Sequence, residues 1–138
     1  MFEYPQTPLW KKLGIKEESI LMLVNPPENF IVELGELPLG VSIQDNNAEF
    51  YDIAILFVEN LEQLYAQFPS VTAIIKPKNR LWVAWYKQSA NIPTDVKFEK
   101  VQPLGLAEGL TDNKICALNN IWTALQFVIP VAKRKNYR

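Results

Sequence analysis

The sequence predicts an α/β fold, a three-layer Rossmann-like arrangement whose mostly parallel sheet closes with a C-terminal antiparallel strand pair. Three observations lead there. Apolar runs at Ser19 to Asn25, Asp52 to Val58 and Arg80 to Tyr86 are too short for helices, as expected of strands covered on both faces. Segments of helical period lie between them, and strands alternating with helices imply parallel pairing with helices on both sides of the sheet. The last two strand-like segments are joined by too few residues for a parallel crossover, so one of them runs antiparallel.

The first strand, Ser19 to Asn25, leads into a predicted helix with Asn25 as N-cap, Pro26 at the first helical position and Glu28 completing an N-x-x-E capping box. Phe30, Ile31 and Leu34 form its apolar face, and Gly35 ends it. Val41 to Gln44 is a short second strand, left through the turn Asp45-Asn46-Asn47. After the strand Asp52 to Val58, Asn60 and Gln63 repeat the capping box, and Leu61, Leu64, Tyr65 and Phe68 repeat the helical stripe. Pro69 is expected to break or restart that helix. Lys76 to Asn79 turns the chain into the strand Arg80 to Tyr86, whose Trp82 and Trp85, three apart, face opposite sides of the sheet. Thr94 or Asp95 then caps a helix running towards Gly105, and Leu110 to Asn119 and Thr123 to Val131 are the final strands. The predicted order is β-α-β-β-α-β-α-β-β.

Composition narrows function more than it names one. With 138 residues, 49% of them hydrophobic, the chain is read as one domain, 1–138, with 133–138 a flexible basic tail. A single cysteine, Cys116, and no histidine exclude intramolecular disulfides, cysteine–histidine zinc sites, His-ligated metals and histidine-based nucleophile pairs. No apolar run approaches the ~20 residues of a membrane span. Met1 to Pro8, with Glu3 and two prolines, does not read as a secretory leader, so a cytoplasmic location is expected. Charge is divided unevenly: residues 1 to 75 carry 3 basic against 11 acidic side chains, residues 76 to 138 carry 11 against 4. Opposite halves suit homo-oligomer pairing or an anionic ligand; the simpler reading assigns Lys133, Arg134, Lys135 and Arg138 to the tail.

Lys76-Pro77-Lys78-Asn79-Arg80-Leu81-Trp82-Val83 resembles the turn into strand five of class I methyltransferases, and the closing antiparallel pair resembles the end of that fold. More narrowly, three stretches are similar to a family of short uncharacterised bacterial proteins, one of the domain-of-unknown-function families. They are Trp85-Tyr86-Lys87 with Thr94-Asp95; Leu104-Gly105-Leu106; and Asp112 to Ala117 followed by Trp122 and Leu125. The resemblance implies a shortened methyltransferase-like topology and carries no assigned activity.

Ligands of open α/β sheets sit beyond the carboxyl ends of the parallel strands. Six residues there are candidate ligand contacts: Asn25, Glu28, Asp45, Lys87, Thr94 and Asp95. No glycine follows the first strand; Pro26 and Pro27 offer no N–H to an anion, and Glu28 adds negative charge, so a phosphate-bearing dinucleotide is disfavoured. Asp45 lies where such folds hold ribose hydroxyls, which leaves S-adenosylmethionine as the one cofactor still open, although Asp45 also suits the start of a turn. Lys87, beside Thr94 and Asp95, suits a carboxylate or phosphate, or else an ion pair with Asp95. Asp112, Lys114 and Cys116 share one strand face by alternation, and Cys116 reads as a small buried hydrophobe rather than a nucleophile. Trp122, near the final bend, is expected to be more exposed; with Lys114 and the tail it suits base stacking, but no nucleic-acid motif accompanies it.

With no catalytic residues, metal ligands or cofactor assigned, the reading is a non-catalytic ligand-binding or protein-interaction module on a methyltransferase-like fold. The alternative is a minimal S-adenosylmethionine-dependent methyltransferase. Nucleic acid and membrane are not expected as partners.

Overall fold

The computed structural model describes residues 7–137; Met1 to Gln6, on which most of the leader reading rests, and Arg138 lie outside the described residues. The elements run α1 (Leu9–Leu13), β1 (Ile20–Val24), α2 (Phe30–Leu34), β2 (Ser42–Gln44), β3 (Ile53–Phe57), α3 (Leu61–Thr72), β4 (Arg80–Tyr86), α4 (Phe98–Ala107), β5 (Thr111–Ala117) and β6 (Trp122–Val128). Short 3₁₀ turns occupy Gln88–Ala90 and Val131–Asn136. The strands form one sheet in the order β2-β1-β3-β4-β6-β5. The first four are mutually parallel, β6 is antiparallel to β4, and β5 is antiparallel to β6.

Every strand residue of β3 is buried, which is why its sequence runs apolar without alternation. Successive side chains feed two cores. Met22, Ala54, Leu56, Val83 and Trp85 pack under α3 and α4, through Leu64, Phe68, Val71 and Val101. Leu21, Leu23, Ile55, Trp82 and Ala84 pack on the other face with Leu13 of α1 and Phe30 and Leu34 of α2. The opposite facing of Trp82 and Trp85 follows the strand period as expected.

Several local expectations give way to longer-range forces. The helix after β1 begins at Phe30, not beside Asn25, because a residue preceding proline is pushed out of the helical region and Pro26 itself precedes Pro27. Asn25 adopts a left-handed φ of 58° and Asn29 one of 68°, and neither side chain caps the helix. Pro69 does not break α3, which continues through it to Thr72. The Asn60 cap does form: its Oδ1 accepts from the Gln63 N–H at 2.8 Å, while the reciprocal Gln63 Oε1 reaches one residue further, accepting from the Glu59 N–H at 2.7 Å.

Helix α4 starts at Phe98, three residues beyond the expected caps, since Val96 is buried in the core and holds the preceding segment extended. Between Asp112 and Lys114 the β5–β6 ladder shifts register, so Asp112 pairs with Phe127 and Lys114 with the adjacent Gln126. This bulge separates Asp112 from the face shared by Lys114 and Cys116. The Gln102 amide instead donates to Asp112 at 3.2 Å. Residues 131–136, expected within or beside a flexible tail, form an exposed 3₁₀ segment in which Arg134 Nε donates to Ile129 O at 3.1 Å.

Tyr51, just ahead of β3, is fully buried and donates its hydroxyl to Val71 O at 2.8 Å, a last-turn carbonyl of α3. Burial pushes its phenol well above the ordinary tyrosine range. The unfolded phenol ionises near pH 10 while the folded one stays protonated, so this contribution is complete below pH 10 and declines as pH rises above it, by about 1.4 kcal/mol per pH unit. Tyr51→Phe is expected to lose about 1–2 kcal/mol at pH 8 and to flatten the alkaline decline. Urea unfolding at pH 8 and pH 11 checks it: an equal loss for wild type and variant between the two would remove Tyr51 as the source.

Candidate functional site

The chain leaves β1 towards β2 on one side while β3 packs on the other, so a crevice opens at the carboxyl ends of β1 and β3. Phe57 and Tyr86 end β3 and β4, and antiparallel β6 brings Trp122 to the same end, opposite Tyr86 in the ladder. These side chains form one aromatic wall. Tyr86 and Trp122 lie 4.4 Å apart and tilted by 38°, and Trp122 meets Phe57 edge-on at 5.1 Å. Phe57 in turn meets Phe30 of α2 edge-on at 4.8 Å.

Glu59, two residues beyond β3, accepts the Tyr86 hydroxyl at 2.5 Å. Desolvation, then the hydrogen bond and charge of Glu59, push the Tyr86 phenol up to about 12, so at neutral pH it is a donor that orients the carboxylate. Trp122 is 6% exposed, against the expectation of an exposed ring, because the Tyr86 and Phe57 rings cover it.

Two cavities adjoin here and share Tyr86 and Ile92. The smaller, about 360 Å³, opens beside Asn25, Pro27, Phe57, Glu59 and Trp122. The larger, about 850 Å³, lies over the end of β4 against the start of α4, with Trp85, Lys87, Thr94, Lys97 and Glu99 in its walls. Both volumes suit small molecules.

Of the six sequence candidates, Asn25 lines the smaller cavity and Lys87 and Thr94 the larger. The Asn25 amide donates to Phe57 O at 3.0 Å and to Gln67 Oε1, tying the end of β1 to β3 and α3. Thr94 does not cap α4; its hydroxyl donates to Glu59 O at 2.7 Å and accepts from the Val96 N–H at 3.1 Å, which positions the loop carrying Glu59. Asp95 accepts from the Leu61 N–H at 2.8 Å and so caps α3, a helix 34 residues earlier in the chain. Its carboxylate is thereby used for the helix rather than for Lys87. Asp45 accepts from the Asn47 N–H at 2.9 Å in an exposed Asx turn, and Glu28 is exposed; neither lines these cavities.

Glu59, Tyr86 and Trp122 are not among the six candidate contacts, although the sequence puts Val58 to Asn60 and Tyr86 to Ser89 at the carboxyl ends of the strands. Tyr86 and Trp122 do sit in the stretches that carry the family resemblance, and Glu59 directly precedes the capping box; nothing local marks them as one group. Cys116 is half-buried on the outer strand, and burial pushes its thiol up despite Lys12 and Lys114, which disfavours the thiolate. No group of three or more acidic or cysteine ligands with metal-binding geometry occurs among the described residues.

Among solved structures the chain is similar to a SAM-dependent methyltransferase from Aquifex aeolicus, with a TM-score of 0.58 at 12% identity over 87% of both chains. The fold is methyltransferase-like. It is similar also to magnesium protoporphyrin IX methyltransferase from Synechocystis PCC 6803 with bound SAH, with a TM-score of 0.54 at 11% identity over 88% of this chain and 78% of that one. No family model and no curated protein matches the sequence. The chain contains no helix, among its described residues, long and apolar enough to cross a membrane.

Proposed function

We propose that the chain binds an S-adenosyl nucleoside over the carboxyl ends of β1, β3 and β4 and acts as a small methyltransferase, with the methyl acceptor in the adjoining larger cavity. The observation that carries this reading is the pair of cavities meeting at Tyr86, the smaller of which opens at the ends of β1 and β3, the topological switch point of a methyltransferase-like fold. The donor set fits the ligand chemistry. A carboxylate, Glu59, held at the hydroxyl of Tyr86 in the wall of the smaller cavity favours a cation without phosphate, and Pro26 and Pro27 withhold the amide donors that a diphosphate needs. When bound, the ligand would supply an electrophilic methyl group; Glu59, Tyr86 and Trp122 would hold it, and Lys87 and Lys97 would orient an anionic acceptor. Histidine is dispensable for such chemistry, since alignment of the two reactants supplies much of the acceleration.

One observation favours a second reading, a binding module without turnover. The Asn25 side chain bridges to Phe57 O across the crevice, where methyltransferases of this fold carry a glycine turn open to the ligand. Thermal unfolding with excess S-adenosylhomocysteine, followed by methyl transfer from labelled S-adenosylmethionine to a panel of carboxylate and phenol acceptors, separates the two. At about 100 times the dissociation constant the ligand stabilises by roughly 2.7 kcal/mol, several degrees for this chain. Glu59→Gln is expected to cut that gain sharply. Binding with no transfer to any acceptor leaves the module; absence of binding removes both readings.

A further inference from the structure

We infer that the opposite end of the sheet carries a second, anion-binding site for a phosphate group, either inorganic or borne by a small metabolite. At the amino ends of the parallel strands a cavity of about 290 Å³ is walled by Lys16, Lys78, Arg80 and Arg134, together with Asn79 and Asn113. No acidic side chain contributes to its wall. The four cations come from three separate segments: the α1–β1 loop, the turn into β4 with its first residue, and the C-terminal 3₁₀ turn. Convergence of like charges costs energy unless an anion offsets it, so the arrangement is itself a signal of a ligand.

The site is built rather than splayed. Arg80 Nη1 donates to Gln126 Oε1 at 3.4 Å, and the guanidinium lies against Gly14, where an added Cβ would sit about 3.1 Å from Arg80 Cδ and Nε. Gln126 is fully buried, and among the described residues its Nε2 finds no partner, so the Arg80 contact on Oε1 orients this amide. Asn79, buried in the turn, accepts from the Lys76 N–H at 2.8 Å and fixes the segment presenting Lys78 and Arg80. Arg134 is anchored through Nε on Ile129 O, which leaves its terminal nitrogens for another acceptor. The bulge in β5 falls at Asn113, which turns that residue out of the ladder beside the cavity.

A neighbouring cavity shares Lys16, Lys78 and Arg80 and includes Glu17, Glu18 and Asp52. Asp52 accepts from the Ile20 N–H at 2.7 Å. None of these three carboxylates lines the cavity on the Arg134 side, so the cationic excess lies there. A diphosphate or a phosphate monoester, with several acceptor oxygens, matches several fixed cationic donors better than a monovalent ion does.

Isothermal titration with inorganic phosphate, inorganic diphosphate and ribose 5-phosphate, each against sodium chloride at equal ionic strength, tests this on the full chain. Saturable binding absent with chloride is expected, and the tighter of the inorganic and sugar-borne probes identifies the source. Lys78→Gln and Arg134→Gln, both at exposed positions, should each weaken binding about tenfold, while Lys135→Gln, on the same tail but outside the cavity wall, should not; thermal unfolding of each variant without ligand reads any loss of the Arg134–Ile129 contact separately. Equal heats with chloride, or the same loss from all three substitutions, overturn the site in favour of general charge attraction. Binding of duplex DNA with a steep salt dependence and none of diphosphate overturns it in favour of a nucleic-acid surface. Stabilisation by S-adenosylhomocysteine should be unchanged in Arg134→Gln, which keeps this test independent of the first site.

Discussion

Trp82→Ala is expected to destabilise the protein by about 3–5 kcal/mol, a fall in Tm on the order of 10–20 °C for a chain of this size. Trp82 is the largest fully buried side chain, in the middle of β4 between Ile55 of β3 and Gln126 of β6. Its indole Nε1 donates to Leu13 O at 3.1 Å, so one side chain fills the core beneath α1 and also satisfies the carboxyl end of that five-residue helix. A helix so short has little stability of its own and depends on docking. Trp82→Phe keeps much of the volume and loses the donor, so the smaller cost should appear as amide exchange of residues 9–13 rising ahead of the sheet. Equilibrium unfolding and hydrogen exchange on both variants check this. A loss for Trp82→Ala below ~1 kcal/mol would mean that the core beneath α1 collapses to fill the space.

Gly105→Ala reverses an ordinary expectation. In an exposed helix the change gains up to about 1 kcal/mol, because glycine is the poorer helix former. Here Gly105 is buried on the inner face of α4, and an added Cβ would overlap the ring of Phe127. That ring is fully buried and set edge-on against Phe68 of α3, with centroids 6.1 Å apart, so it has no free space to enter. The expected outcome is a net destabilisation of roughly 2 kcal/mol. Phe127→Leu in the Gly105→Ala background should cost less than Phe127→Leu alone, a coupling of about 0.5–3 kcal/mol in a double-mutant cycle. Additive losses would mean that α4 moves as a body instead of pressing on the ring.

Strands β1, β3 and β4 are legible because burial on both faces leaves uninterrupted apolar runs, and the Asn60 cap because its partner is three residues away. The helix after β1 was misplaced for a reason also visible in the sequence: the second proline of Pro26-Pro27 forbids the start that the first invites. By contrast, α1 was not anticipated, since five residues do not establish a helical period and Trp82 supplies the reason for the turn from 69 residues away. At the candidate site, Asn25, Lys87 and Thr94 line the cavities, whereas Asp45 and Asp95 serve a turn and another element's helix cap.

By itself, then, the sequence determined the α/β class, the four parallel strands, the antiparallel ending and the exclusion of histidine and paired-cysteine chemistry. Those properties reside in period, composition and neighbours a few residues apart. Only the tertiary structure decided that β6 lies between β4 and β5, and hence that Trp122 stacks on Tyr86. It likewise decided that Tyr86 meets Glu59 across 27 residues, and that Lys16, Lys78, Arg80 and Arg134 wall one cavity. Such groupings arise when separate strands are brought into register by burying their apolar faces, and no local pattern records which side chains that burial will place together.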